Sequence, residues 1–200
     1  MSLVLPEKSE NNFELTPANV YTAVCYRVID LGTQLEGYGE EEKKPKHKIM
    51  LSWELHGDAY MQDGRPFSVH KKYTFSSSEK ATLRQHLEAW RGQAFTDEDF
   101  GKFDIGVLIG KACLMQIVHN EKDGNTYANI SSIMKLAKGM DTPKLVNDTL
   151  YLSLNDFSEE KFNKLSDSVK TTIQKSPEYI EAIKKGTDKA YKVLEQKLAS

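Results

Sequence analysis

The sequence predicts a mainly β fold: a five-stranded barrel with one helix between its third and fourth strands, and a C-terminal helical extension. Three observations predict it. Five short runs rich in β-branched and aromatic residues are separated by turns built from Gly, Asp and Asn. The stretch between the third and fourth runs changes to helical period, as does the chain from residue 159 onward. A length of 200 residues, 39% apolar and 28% charged, suits one compact domain with an appendage.

Residues 1–16 are polar and slightly acidic and read as a flexible N-terminal arm. The run VYTAVCYRVIDL, Val20 to Leu31, is the first strand by propensity. Apolar groups on both of its faces predict a strand shared between two layers, or one bent by a bulge. Residues 32–46 hold three Gly, one Pro and a charge block, and read as a solvated loop with ligand binding as the alternative. In KHKIMLSWELHG, Ile49, Leu51, Trp53 and Leu55 alternate with Lys48, Met50, Ser52 and Glu54, a half-buried second strand. Asp63-Gly64 marks a turn, and FSVHKKYTF is the third strand, so strands two and three form an antiparallel hairpin.

In SSSEKATLRQHLEAWRG, Leu83, Leu87 and Trp90 form one helical stripe. Ser76 with Glu79 reads as a capping box, and Gly92 as the C-terminal glycine. A second short helix begins at Thr96, with Asp97, Glu98 and Asp99 in its first turn rather than in a metal cluster. ACLMQIVHN, the turn EKDGN and TYANISSIMKL complete a second hairpin. Three strands, a helix and two strands is the order of an OB-fold. The predicted organisation is an arm over 1–16, an OB-fold-like domain over 17–140, a linker over 141–158 and a helical extension over 159–200. In the extension, Ser176-Pro177 is a helix start, and Ile180, Ile183, Thr187, Tyr191, Leu194 and Leu198 line one face. Such a stripe docks on its own domain, on a partner or on a second subunit. On these boundaries a chain ending near Met140 keeps the barrel.

The net charge of −2 means that any basic surface is local. Cys25 and Cys113 sit in apolar runs and read as buried thiols. The opening MSLVLPEKSE lacks the pattern of an export signal, and no run approaches the roughly 18 apolar residues of a membrane span, so a cytoplasmic protein with no membrane contact is expected. No nucleotide-loop, nucleophile-elbow or zinc-protease motif is present, and the five histidines have no metal-ligand spacing. The expectation is a protein that is not an enzyme and carries neither cofactor nor metal.

From Lys46 to Arg91, eight Lys/Arg stand against five Asp/Glu. A basic groove that follows phosphates, with aromatic platforms that stack bases, is the way single strands are held. The candidate nucleic-acid contacts are Arg27, Lys48, Trp53, Arg65, His70, Lys71, Lys72 and Tyr73. Trp53 shares the parity of Ile49, Leu51 and Leu55, which makes it core on one reading and a platform on the other. On the third strand Phe67, Val69, Lys71, Tyr73 and Phe75 share one face, and His70 and Lys72 the other; one set faces the ligand, and parity does not choose. Arg27 is a phosphate contact or a surface arginine of no consequence.

The segments YTAVCYRVIDLGTQ, KHKIMLSWEL, GRPFSVHKKYTFSSSEKATLRQHLEAWRG and IGKACLMQIVHNEKDGNTYANISSIMKL together resemble a family of phage-encoded OB-fold single-stranded DNA-binding proteins from replication and recombination modules. The resemblance covers about residues 17–140 and rests on ordered segments rather than on one motif. It implies a non-enzymatic protein that coats single-stranded DNA in the cytoplasm of an infected bacterial host. Self-association or other phage replication and recombination proteins are the implied partners. It assigns no binding residue. Bacterial single-stranded DNA-binding proteins end in an acidic recruiting tail, whereas Glu178 to Lys197 holds five Lys against four acids, so recruitment of that kind is not expected. The alternative is a phage-encoded inhibitor of a host nuclease or defence complex on an OB-like scaffold. A metal-dependent nuclease is the weakest reading.

Overall fold

The computed structural model describes residues 14–37 and 42–186. Strands β1 (Asn19–Glu36), β2 (Lys44–His56), β3 (Ser68–Thr74), β4 (Ala112–Lys122) and β5 (Asn125–Lys135) form an antiparallel sheet in the order β3-β2-β1-β4-β5. A sixth strand, β6 (Leu150–Leu152), pairs with β1 in parallel. The fold is mainly β, but the sheet does not close into the expected barrel. β3 and β5 are its two ends, and a groove of about 490 Å³ runs between them.

One core nonetheless joins the two ends. Val69 and Tyr73 of β3 and Ile133 of β5 belong to the same apolar cluster as Leu51, Trp53 and Met115. Helix α1 (Thr82–Arg91) packs on both β3 and β5 and buries the predicted stripe of Leu83, Leu87 and Trp90. It ends at Gly92, whose φ of 73° is the left-handed conformation a terminating glycine adopts at little cost. Thr96 caps α2 (Asp97–Gly101) by accepting the Asp99 N–H, as its sequence predicts. The capping box does not form. Ala81 begins α1 without a side-chain cap, while Ser76 and Ser78 accept N–H groups two residues ahead and hold 76–80 in turns.

β1 explains its apolar pattern on both faces. It pairs with β2 along most of its length, with β4 through Asn19–Val24 and with β6 through Arg27–Ile29. Register shifts between Cys25 and Arg27 and between Asp30 and Gly32 bend it. Ala23, Cys25 and Val28 therefore enter the first core, and Ile29 and Leu31 enter a second. Cys25 and Cys113 are fully buried, which pushes the Cys25 thiol up to about 12. The β2–β3 and β4–β5 hairpins form as expected. Asp123 and Gly124, at φ 52° and 75°, make the second a primed turn that matches strand twist. The 32–46 loop is shorter than its composition suggests, since β1 runs to Glu36 and β2 starts at Lys44.

The linker expectation also fails. Residues 150–152 are β6, and β6 with α3 (Glu159–Asn163) and α4 (Asp167–Gln174) builds the second core. Leu150, Leu152, Leu154, Phe162, Leu165 and Ile173 cover Ile29, Leu31 and Met50 on the outer face of the sheet. Gly32, at φ 67°, lies where Ser176 occupies the position of any Cβ, so the close approach of this segment requires glycine. Ser176 Oγ accepts the Tyr179 N–H and starts the helical segment 177–186, with Pro177 at its first position. The apolar stripe does not begin by docking, since Ile180 is 64% exposed. Thr187, Tyr191, Leu194 and Leu198, and residues 1–13 of the arm, lie outside the described residues. Among the described residues no helix is long and apolar enough to cross a membrane.

Candidate nucleic-acid interface

The β2–β3 hairpin presents lysines because β3 is an end strand of the sheet and the first residues of β2, through Lys46, are exposed. Pairing sets Lys48 opposite Thr74, Met50 opposite Lys72 and Leu51 opposite Lys71. After β3 the turns at 76–80 fold the chain back toward the hairpin. The result is a cleft of about 490 Å³ lined by Lys46, Lys48, Lys71, Lys72 and Lys80, with the hydroxyls of Thr74, Ser76 and Ser78 between them. Among the described residues, no acid lines it. Lys48 is tethered, with its Nζ 2.5 Å from Glu36 Oε2 and donating to Thr74 Oγ1 at 2.9 Å. Lys46, Lys72 and Lys80 are exposed. Lys71 is half-buried against Tyr73, 5.9 Å from the ring centroid, and burial pushes its pKa down.

Beside this cleft lies the groove between the unpaired ends of the sheet. His70 and Lys71 form part of one wall, and Asn125, Tyr127 and Asn129 part of the other. Tyr127 is 49% exposed, so its ring is open to stacking. Burial, and then the charge of Lys72, lower the His70 pKa, so near pH 7 it offers hydrogen bonds rather than charge. Ammonium groups, hydroxyls and an open aromatic face suit a flexible polyanion with planar groups.

Of the sequence candidates, Lys48, Lys71 and Lys72 come together in the cleft, and His70 lines the adjoining groove. The two faces of β3 separate in part: Phe67, Val69 and Tyr73 enter the core and His70 and Lys72 are exposed, while Lys71 is half-buried and Phe75 is 50% exposed. Trp53 and Tyr73 are corrected. Trp53 is fully buried against Trp90 at 5.8 Å, and the Tyr73 hydroxyl is paired with His86 Nδ1 at 2.9 Å inside the protein. Neither ring can stack on a base without opening the core. Arg65 sits at the hairpin tip, bound to Asp63 at 2.6 Å, and does not line the cleft. Arg27 lies on β1 beside Leu150 of β6, with its guanidinium 5.1 Å from the Tyr26 ring, and is likewise outside the cleft. Sequence reasoning missed Lys46, Lys80 and Tyr127. Lys46 was lost in a charge block, Lys80 in a helix start that does not form, and Tyr127 in a strand whose outer face carries no pattern.

A charged latch ties the C-terminal segment to the strands beneath this site. His47 Nε2 lies 2.8 Å from Asp30 Oδ1, and its Nδ1 lies 3.5 Å from Glu178 Oε1. Glu178 also accepts the Thr33 N–H and hydroxyl at 2.8 and 2.5 Å. The Asp30 hydrogen bond raises the His47 pKa, and the charges of Asp30 and Glu178 add to it. Burial alone would raise Asp30 and Glu178, but hydrogen bonds and the imidazolium hold both below their ordinary values. The His47 contribution is complete below its ordinary 6.5 and is lost as pH rises through the higher folded value. The carboxylate contributions are present above 3.8 and 4.5 and are lost as pH falls through the lower folded values. The latch is therefore strongest between pH 4.5 and 6.5. In thermal melts the deficit of a His47→Gln variant relative to the unaltered protein is expected to peak in that window and shrink above it. A deficit independent of pH would exclude the latch.

Among the described residues, no group of three or more His, Cys, Asp and Glu side chains is placed to hold a metal ion. No protein-family model matches the chain, and no curated protein matches it either.

Proposed function

We propose that this chain binds single-stranded DNA, holding the backbone in the lysine cleft and stacking bases in the groove beside it. The observation that carries the proposal is the convergence of five lysines on one cleft, with no acid among the described residues of its lining. Lys48 is already held by Glu36, and the other four ammonium groups, unpaired among the described residues, repel one another until a polyanion neutralises them. The element order, with β1 shared between β2 and β4 and a helix after β3, supports an OB-type scaffold left open between β3 and β5. An open basic cleft on an edge hairpin, built from strands and turns, favours a flexible strand over duplex. The segments that resemble phage single-stranded DNA-binding proteins support coating of single strands during phage replication or recombination.

Anisotropy titrations with an oligo-dT and with a hairpin duplex test this. Binding to the single strand is expected to be clearly tighter, and its affinity to fall with salt at roughly 0.7 counterions per phosphate contacted. A flat salt response, or a preference for duplex, would contradict it.

A further inference from the structure

A second pocket, at the other end of α1 from the lysine cleft, is built differently. It has a volume of about 620 Å³, within the roughly 300–1,000 Å³ usual for ligand sites. Trp90, Phe95, Phe103, Leu108 and Leu136 supply most of its wall, and half-exposed Val107 extends the apolar surface to the mouth. The Trp90 indole N–H is already donated to the Ala112 carbonyl at 2.8 Å, and Thr142 is the one neutral polar side chain in the lining. The interior therefore cannot satisfy the polar edges of a nucleobase but suits an aliphatic or aromatic side chain.

The rim is cationic. Arg91 from the last turn of α1, Lys111 from the residue before β4 and Lys135 from the end of β5 line it, and among the described residues no acid does. None of the three is ion-paired among the described residues. Arg91 stacks over the Phe95 ring at 4.6 Å, which fixes its guanidinium at the edge with its N–H groups free for a carboxylate. Three cations on three separate elements match several carboxylates spaced along a chain; a single-headed amphiphile would engage one of them. The last 14 residues of this chain, 187–200, carry three lysines against two acids and do not complement the rim.

We propose that this pocket docks an acidic peptide segment of a partner protein, burying one apolar side chain among Trp90, Phe95 and Leu108 while Arg91, Lys111 and Lys135 hold its carboxylates. The site is separate from the lysine cleft, so DNA and peptide bind the same protein at different places.

The probe is a fluorescein-labelled peptide in which four aspartates flank a Leu-Phe pair, titrated into the full chain and followed by anisotropy. Saturable, salt-sensitive binding is expected, weakened at least about tenfold when the Leu-Phe pair becomes Ala-Ala and by a similar factor in Lys111→Glu/Lys135→Glu. Val107→Asp, on an exposed turn, is expected to weaken the peptide without altering the circular dichroism spectrum. The peptide should lose no affinity when Lys72 and Lys80 are replaced by alanine. Absence of saturable binding, or equal binding of the Ala-Ala peptide, overturns the proposal. Displacement of the peptide by oligo-dT would assign the pocket to nucleic acid and overturn it as well.

Discussion

A chain ending at Met140 is expected to lose cooperative folding. Ile29 and Leu31 are fully buried and Met50 is 6% exposed, and all three are covered by side chains beyond residue 149. Returning such side chains to water costs about 1.5–3 kcal/mol each. The sum is comparable with the whole stability of a typical domain, about 5–15 kcal/mol. Glu54 makes the loss larger. Its fully buried carboxylate accepts N–H bonds from Val146 at 2.9 Å and from the Asn147 backbone and side chain at 2.8 Å. Burial alone would raise its pKa, but these bonds, with one to His56, hold it low and the group charged. Truncation removes three charge-assisted bonds, for which water is a partial replacement. Urea titration followed by circular dichroism, with light scattering alongside, should show a broad early transition and association. A sharp transition near that of the full chain would show that the five-stranded sheet stands alone.

Replacing Lys46, Lys71, Lys72 and Lys80 together by alanine is expected to lower single-strand affinity by about a hundredfold at low salt. The salt slope should become shallower by roughly three, at about 0.7 per lost phosphate contact. Folding should survive, because Lys46, Lys72 and Lys80 are exposed, Lys71 is only half-buried, and their removal relieves mutual repulsion. Lys48 is left in place because its contacts with Glu36 and Thr74 join β1, β2 and β3. Tyr127→Ala should add a separate loss of about tenfold, in line with roughly 1–3 kcal/mol per stacked base. Trp53→Phe should leave affinity unchanged, since the ring lies inside the core. An unchanged affinity in the quadruple variant, with a native spectrum, would move the site away from this hairpin.

Much of the architecture was legible in local pattern. Alternation along Ile49, Leu51, Trp53 and Leu55 identified one core face of β2, but the strand is not half-buried, since Met50, Ser52 and Glu54 on its other face are buried too; the Leu83, Leu87 and Trp90 stripe identified the buried face of α1. The apolar residues on both faces of β1 foretold a strand between two layers, and the structure shows two cores with bulges between them. The linker expectation failed because three residues, Leu150–Leu152, are too few to display a period. The capping box failed because the Ser76 and Ser78 hydroxyls found nearer N–H groups in turns. The site was half legible. Lys71 and Lys72 stood out beside one another, but Lys46 and Lys80 are 34 positions apart and their meeting depends on how β2 and β3 pair.

The sequence by itself determined the order of β1 to β5 and the helices between β3 and β4, the inward faces of β2 and α1 and the local basic excess, because each follows from residue spacing within one segment. Tertiary structure alone decided that β3 and β5 stay apart, that the 141–186 segment completes the outer face of the sheet, and which lysines share a cleft. Those outcomes depend on what each apolar face finds to cover it and on which strand edges meet. Both are properties of the assembled chain, set by burial and pairing between segments far apart in sequence.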